Sequence, residues 1–297
     1  LRVSHHRSGD LHALLLAVAE VTEPAILQVI QLPLREHSLC TPHVDVVAGF
    51  WPNAAAGYAA LFEACGQDPA CQAAFPDLES EFTDLVNELS AQPRTVTVPD
   101  PAGGAPVDVV IDGFTLANLV VTAGLIPGQI AGLPTMIHDL RTGDGTLAAA
   151  TVLLGRPPSG LTGYGLTYGV FCGESVAATD PETVEEAARA VLPRLPAEAL
   201  DLVPQLRQVF EDCAAWDVGS VDARVHQPVH SDIPALIVTG ALDAITPPHW
   251  ADEVAAGLTG SHTLRFPGAG HDVMIWSTEC GIAVMNSFLN DPGDYDD

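Results

Sequence analysis

The sequence predicts an α/β protein in which the C-terminal part of a parallel sheet is joined to a mostly helical cap. Three observations carry this. From Ile233 onward, short apolar or alternating runs take turns with helical spacings, the order from which parallel sheets are built. Upstream, apolar residues recur mainly at helical spacing, interrupted by one hairpin-like pair of β-branched runs. Hydrophobic residues make up 47% of the 297 residues, enough for a large core, so disorder is excluded as the main state.

The elements follow in order. Ala54 to Ala64 places Tyr58, Leu61 and Phe62 on one helical face, and Asp77 to Leu89 does the same with Phe82, Leu85 and Leu89. Thr95–Val98 and Val107–Ile111 flank Pro-Asp-Pro-Ala-Gly-Gly and read as a hairpin. Residues 114–158 read as helical, loop-rich and polar-faced, more like a cap over a core than the core itself. Leu166–Phe171 is strand-like. Asp180 is a good N-cap with Pro181 at the first helical position, opening a helix through Val191. A second helix runs from Ala197 toward Cys213. Ile233–Gly240 is a continuous apolar run, as expected of a strand buried on both faces. Thr246-Pro247 caps a helix to about Leu258, Ser261–Phe266 alternates as another strand, and Cys280–Leu289 closes with a helix.

Charge narrows the function. The chain has 11 basic and 38 acidic residues, a net charge of −27, and every basic residue is an arginine. Such a field repels phosphate backbones and disfavours anionic membrane surfaces, so neither nucleic acid nor membrane is expected as a partner. The richest apolar stretch, Leu116 to Ile137, is broken by Asn118, Pro127, Gln129 and Pro134, so no membrane span is predicted.

The N-terminal part is less informative. The chain opens on Leu1, which reads as a processed chain or a fragment. Residues 1–19 carry Arg2, Arg7 and an apolar run, yet Asp10 and three histidines make an amphipathic or buried helix the better reading than a signal peptide. His5, His6, His12, His37 and His43 match no metal-site spacing, so no metal is expected. None of the six cysteines forms a Cys-x-x-Cys pair. Cys65 and Cys71 enclose a turn that a disulfide can close. By composition alone, oxidised cysteines outside the cytosol and six buried free thiols are equally open.

Chemistry concentrates near the C-terminus. In open parallel sheets, catalytic groups sit at the carboxyl ends of strands. The run 233–240 empties into a loop carrying Asp243, and 261–266 empties into Pro-Gly-Ala-Gly-His271. Adjacent parallel strands bring these loops together. A carboxylate accepting a hydrogen bond from His271 fixes the imidazole tautomer and leaves the other ring nitrogen as a general base. Residue by residue, a helix cap for Asp243 and a surface histidine for His271 are the plainer readings; their order at successive strand ends favours catalysis.

Residues 232–248, with Gly-Ala-Leu-Asp-Ala-Ile-Thr-Pro-Pro, followed by Pro-Gly-Ala-Gly-His at 267–271, resemble the end of an α/β-hydrolase. More narrowly, they resemble the secreted bacterial tripeptidyl-aminopeptidase and prolyl-aminopeptidase-like serine hydrolases. Cys65-x5-Cys71 followed by Phe75-Pro-Asp-Leu, Gly169-Val-Phe-Cys172-Gly-Glu174 and Cys213-Ala-Ala-Trp216 extend the likeness over roughly residues 44–290. The resemblance implies disulfides Cys65–Cys71 and Cys172–Cys213, a secreted protein, and Asp243 and His271 as acid and base of a Ser-Asp-His triad. It also implies that Glu174 holds the α-ammonium of a peptide substrate, against the plainer reading of a solvated loop glutamate. No cofactor is implied.

One departure is serious. Gly-x-Ser-x-Gly, the strand-to-helix elbow that presents the nucleophile, occurs nowhere in the 297 residues. Ser8-Gly-Asp precedes a helix-like run but lacks the preceding glycine, so Ser8 is a weak candidate. Residues 1–43 therefore read as a diverged or truncated remnant of the N-terminal hydrolase core, 44–225 as the cap with a strand near the active site, and 226–297 as the core carrying Asp243 and His271. The expectation is a serine exopeptidase by descent, inactive as these residues stand, with N-terminal strands missing and an exposed sheet edge that lowers solubility. An esterase using the same two residues, and a non-catalytic remnant that binds peptides under its cap, are the rivals.

Overall fold

The structure, a computed structural model, describes residues 47–101, 103–155, 164–200 and 209–293. The chain divides into two units, Leu1–Leu39 and Cys40–Asp297, and every described residue belongs to the second. Ser8, the N-terminal histidines and the whole of the expected remnant at 1–43 lie outside the described residues, as does the middle of the helical stretch read from Ala197 to Cys213.

Helix α1 spans Phe50–Gln67, burying Trp51, Ala54, Tyr58, Leu61 and Cys65 at alternating three- and four-residue steps. Asp68 then caps α2 (Pro69–Ala74), accepting from the backbone N–H groups of Ala70 and Cys71, with Pro69 at the first helical position. The Cys65–Cys71 disulfide fastens the end of α1 to α2. Helix α3 (Leu78–Ala91) turns Phe82, Leu85, Val86 and Leu89 inward. Strands β1 (Arg94–Val98) and β2 (Val107–Ile111) form the antiparallel hairpin, with Arg94 opposite Ile111 and Val98 opposite Val107. Their inner face carries Val98, Val109 and Ile111, all buried.

Three helices follow: α4 (Gly113–Thr122), α5 (Gln129–Thr142) and α6 (Thr146–Leu154). Asp112 caps α4, accepting from the Thr115 N–H and hydroxyl, both at 2.7 Å. Here the sequence expectation of a polar face is corrected. Leu116, Ala117, Leu119, Val120 and Val121 of α4 are all buried, and Ile130, Leu133, Met136, Ile137, Leu140, Ala148 and Ala149 join the same cluster as Trp51, Phe82 and Leu85. The glycines and prolines between these helices make the region look irregular in sequence, yet it supplies much of the main core.

A second correction concerns Leu166–Phe171. The segment is helical, as α7 (Tyr164–Val170) running into a single π turn at Phe171–Ser175. Short apolar runs do not separate strand from helix by pattern, and the contacts that hold this one are distant in sequence. Tyr168 donates its hydroxyl proton to Asp212 at 2.7 Å, and Cys172 is bonded to Cys213. Helix α8 (Pro181–Val191) is capped by Asp180 as the sequence predicts. Short helices α9 (Ala197–Leu200) and α10 (Val209–Trp216) complete the helical part.

Beyond residue 226 the alternation is as expected. Strand β3 (Ala235–Gly240), helix α11 (Pro248–Gly257), strand β4 (Ser261–Phe266) and helices α12 (Val273–Trp276) and α13 (Thr278–Asn290) follow one another. β3 and β4 are parallel, with Ala235 opposite Ser261 and Gly240 opposite Phe266. A strand buried on both faces is not what appears, however. Only Thr239 and Gly240 of β3 are buried, and Ile233, just before the strand, is 52% exposed. Among the described residues this sheet has two strands, so β3 pairs with β4 alone and much of its apolar surface stays half-covered.

Candidate active site

The loops at the carboxyl ends of β3 and β4 are held to each other by backbone bonds. The N–H of Ala241 donates to the Phe266 carbonyl at 2.9 Å, and that of Leu242 to the Ala269 carbonyl at 3.0 Å. This approach requires glycine at 240, where a Cβ would lie 2.2 Å from the Gly270 oxygen and 2.4 Å from the Ala269 oxygen. The helical part fixes both loops from the other side. The Asn53 amide on α1 donates to the Ile245 carbonyl at 3.0 Å, and Gly57, one turn on, packs directly on Ala244. The carbonyl of Gly124, just after α4, accepts from both the His271 N–H and the Trp276 indole N–H, each at 2.9 Å. The residue after His271, Asp272, has φ 63° and caps α12 by accepting from the Met274 N–H. That left-handed conformation is one aspartate tolerates better than most residues.

On this frame the structure brings Asp243 and His271 together. His271 Nδ1 lies 3.0 Å from Asp243 Oδ2. Asp243 is 4% exposed, so its carboxylate must find partners inside the protein, and it does. Oδ1 accepts the backbone N–H groups of Ile245 at 2.8 Å and Thr246 at 2.9 Å. Oδ2 accepts the Thr246 hydroxyl at 2.7 Å as well as His271. Burial alone would raise the Asp243 pKa, but the bonds from His271 and from the Thr246 hydroxyl and backbone together outweigh it and hold the carboxyl below its ordinary value. The partner responds in kind. The hydrogen bond to Asp243 raises the His271 pKa, against partial burial, with smaller attractions from the charges of Asp243 and Asp272.

An ionised carboxylate only accepts, so Nδ1 carries the proton and Nε2 holds the free lone pair. His271 is half-buried, with its side chain 32% exposed. The arrangement suits proton abstraction from an incoming hydroxyl, with the resulting imidazolium held against a buried anion.

Glu174 sits on the π turn, half-buried, between Cys172 and the buried Ser175. Among the described residues, no hydrogen bond or ion pair joins it to Asp243 or His271. The two disulfides, Cys65–Cys71 and Cys172–Cys213, lie in the helical part, and Cys280 is a free, exposed thiol. Among the described residues there is no group of three or more ligating side chains that could hold a metal, and no helix is long and apolar enough to cross a membrane. A cleft of about 630 Å³ between α1, α3 and residues 191–195, floored by Tyr58, Phe62 and Phe82, does not include the Asp243–His271 pair. Thr246 is the site residue that sequence reasoning missed. Its position three after Asp243 and just before a proline reads as a helix cap, although the Pro247 position itself caps α11.

No curated protein matches the chain. Residues 202–295, roughly a third of the sequence, match the α/β-hydrolase family model described as TAP-like protein. That segment contains β3, β4, Asp243 and His271, and the match supports an α/β-hydrolase family for this chain.

Proposed function

We propose that the chain carries the acid–base pair of a serine exopeptidase that removes residues from peptide amino termini. The observation that carries this reading is the 3.0 Å contact between a buried, fully hydrogen-bonded Asp243 and a half-exposed His271. In this reading His271 Nε2 takes the proton from a serine hydroxyl as the oxygen attacks the peptide carbonyl. The imidazolium then gives that proton to the departing amine, and water, deprotonated by His271 in turn, releases the acyl group and restores the serine. Asp243 orients the ring throughout, and Glu174 pairs with the substrate's α-ammonium, which would set the distance from the amino terminus to the bond cut. The two disulfides support a secreted location.

The 297 residues contain no Gly-x-Ser-x-Gly, which favours a second reading in which these residues bind peptides without cutting them. Fluorophosphonate labelling of the purified chain, with the modified residue located by mass spectrometry, separates the two. A serine adduct that disappears in His271→Ala supports catalysis, and release of residues from free-amino but not N-acetylated peptides supports the exopeptidase. If Glu174→Gln cuts esters and peptides as well as the parent does, an esterase is the better description. A folded chain that takes no label overturns catalysis by these residues and leaves the non-catalytic reading.

A further inference from the structure

The Thr246 hydroxyl lies 2.7 Å from Asp243 Oδ2 and 3.1 Å from His271 Nδ1, so it touches both members of the pair. A hydroxyl has one proton to donate and lone pairs to accept with. Asp243, held ionised by its four hydrogen bonds, only accepts, so the threonine proton goes to Oδ2. The contact with Nδ1 is then one in which Thr246 Oγ1 accepts. The Nδ1–H is shared between Asp243 Oδ2 at 3.0 Å and Thr246 Oγ1 at 3.1 Å.

We infer that Thr246 is a positioning residue for His271: its hydroxyl ties the carboxylate and the imidazole into one triangle and disfavours the tautomer with the proton on Nε2. In that other tautomer Nδ1 would need a donor. Among the described residues the only hydroxyl in reach, that of Thr246, would have to leave Asp243, stripping the buried carboxylate of one partner and placing two acceptors face to face. The backbone N–H of Thr246 anchors Asp243 Oδ1 as well, and any residue at 246 except proline keeps that bond. The side-chain role is therefore separable from the loop's shape. This inference rests on the reading of His271 as the base, but its test needs no turnover.

The test is nuclear magnetic resonance of the full chain labelled with 15N-histidine, with His271 assigned by its loss in His271→Gln. In the parent chain the His271 Nδ1 proton gives a low-field signal protected from exchange with water, and Nε2 reports as unprotonated. Thr246→Val removes the hydroxyl at nearly constant volume, and we expect the Nδ1 proton to exchange about tenfold faster, as for the loss of one hydrogen bond. Thr246→Ser restores the parent signal. Should the valine variant fail to fold, Thr246→Ala compared with Thr246→Ser makes the same comparison. Folded Val and Ser variants with the same His271 signals as the parent overturn the role of Thr246. They leave the hydrolase reading standing, because that reading is decided by serine labelling.

Discussion

Asp243 Oδ2 and His271 Nδ1 lie 3.0 Å apart on the two loops that follow a pair of parallel strands, 28 residues apart in sequence. The pair is built from both halves of the described structure, since α1 and the turn after α4 grip the loops that carry it. Packing far from the chemistry should therefore reach the pair.

Gly57 gives the sharpest test of that coupling. A Cβ there would sit 2.2 Å from the Ala244 Cβ and 2.8 Å from its Cα, so Gly57→Ala must displace the loop beside Asp243. Overpacking of this kind costs about 1–3 kcal/mol. Gly66, in the same helix, has nothing within 4 Å of its Cβ position, and Gly66→Ala should stabilise by about 0.4–1 kcal/mol. Urea unfolding of both variants checks the contrast.

Asp243→Ala removes the acceptor of the Ile245 and Thr246 N–H groups. Each buried donor left without a partner costs about 1–3 kcal/mol. The expected outcome is a loss of several kcal/mol in urea unfolding, larger than for His271→Ala, whose ring is half-exposed.

The pair also sets a pH dependence. His271, flanked by Asp243 and Asp272, has a raised folded pKa, so its contribution is complete below the ordinary 6.5 and is lost as pH rises through the folded value. Asp243 has a lowered folded pKa, so its contribution is present above 3.8 and is lost as pH falls through the folded value. The melting temperature of the parent chain should exceed that of His271→Gln most between these limits. The gap should narrow on either side.

The disulfides differ in reach. Cys172–Cys213 spans 41 residues and Cys65–Cys71 spans 6, so loop-closure entropy assigns them about 4 and about 2 kcal/mol. Double alanine replacement of the longer bridge should lower stability by about twice as much as that of the shorter, measured by urea unfolding under oxidising conditions.

The sequence made these features visible to different degrees. Asp243 and His271 were legible because strand, loop and helix alternate beyond Ile233, and strand ends place loop residues in a known relation. The hairpin and the cap at Asp180 are local, with the cap bond formed within two residues. Leu166–Phe171 has a strand-like pattern but is helical, held by contacts to Cys213 and Asp212 more than 40 residues away. Residues 114–158 look polar-faced and irregular because glycine and proline punctuation hides an apolar content that packing against α1 and α3 reveals. Thr246 reads only as a helix cap in the sequence, because its hydroxyl meets Asp243 and His271 across space while its neighbour Pro247 advertises a helix start.

The central claim is that Asp243 holds His271 as a base with its free lone pair on Nε2. The most direct measurement is a histidine titration by 15N nuclear magnetic resonance of the parent chain and of Asp243→Asn. His271 is expected to titrate above the ordinary 6.5 in the parent, with the proton on Nδ1 when neutral, and Asp243→Asn to lower the titration and mix the tautomers. A parent His271 that titrates at or below the ordinary value, unchanged in folded Asp243→Asn, would contradict it.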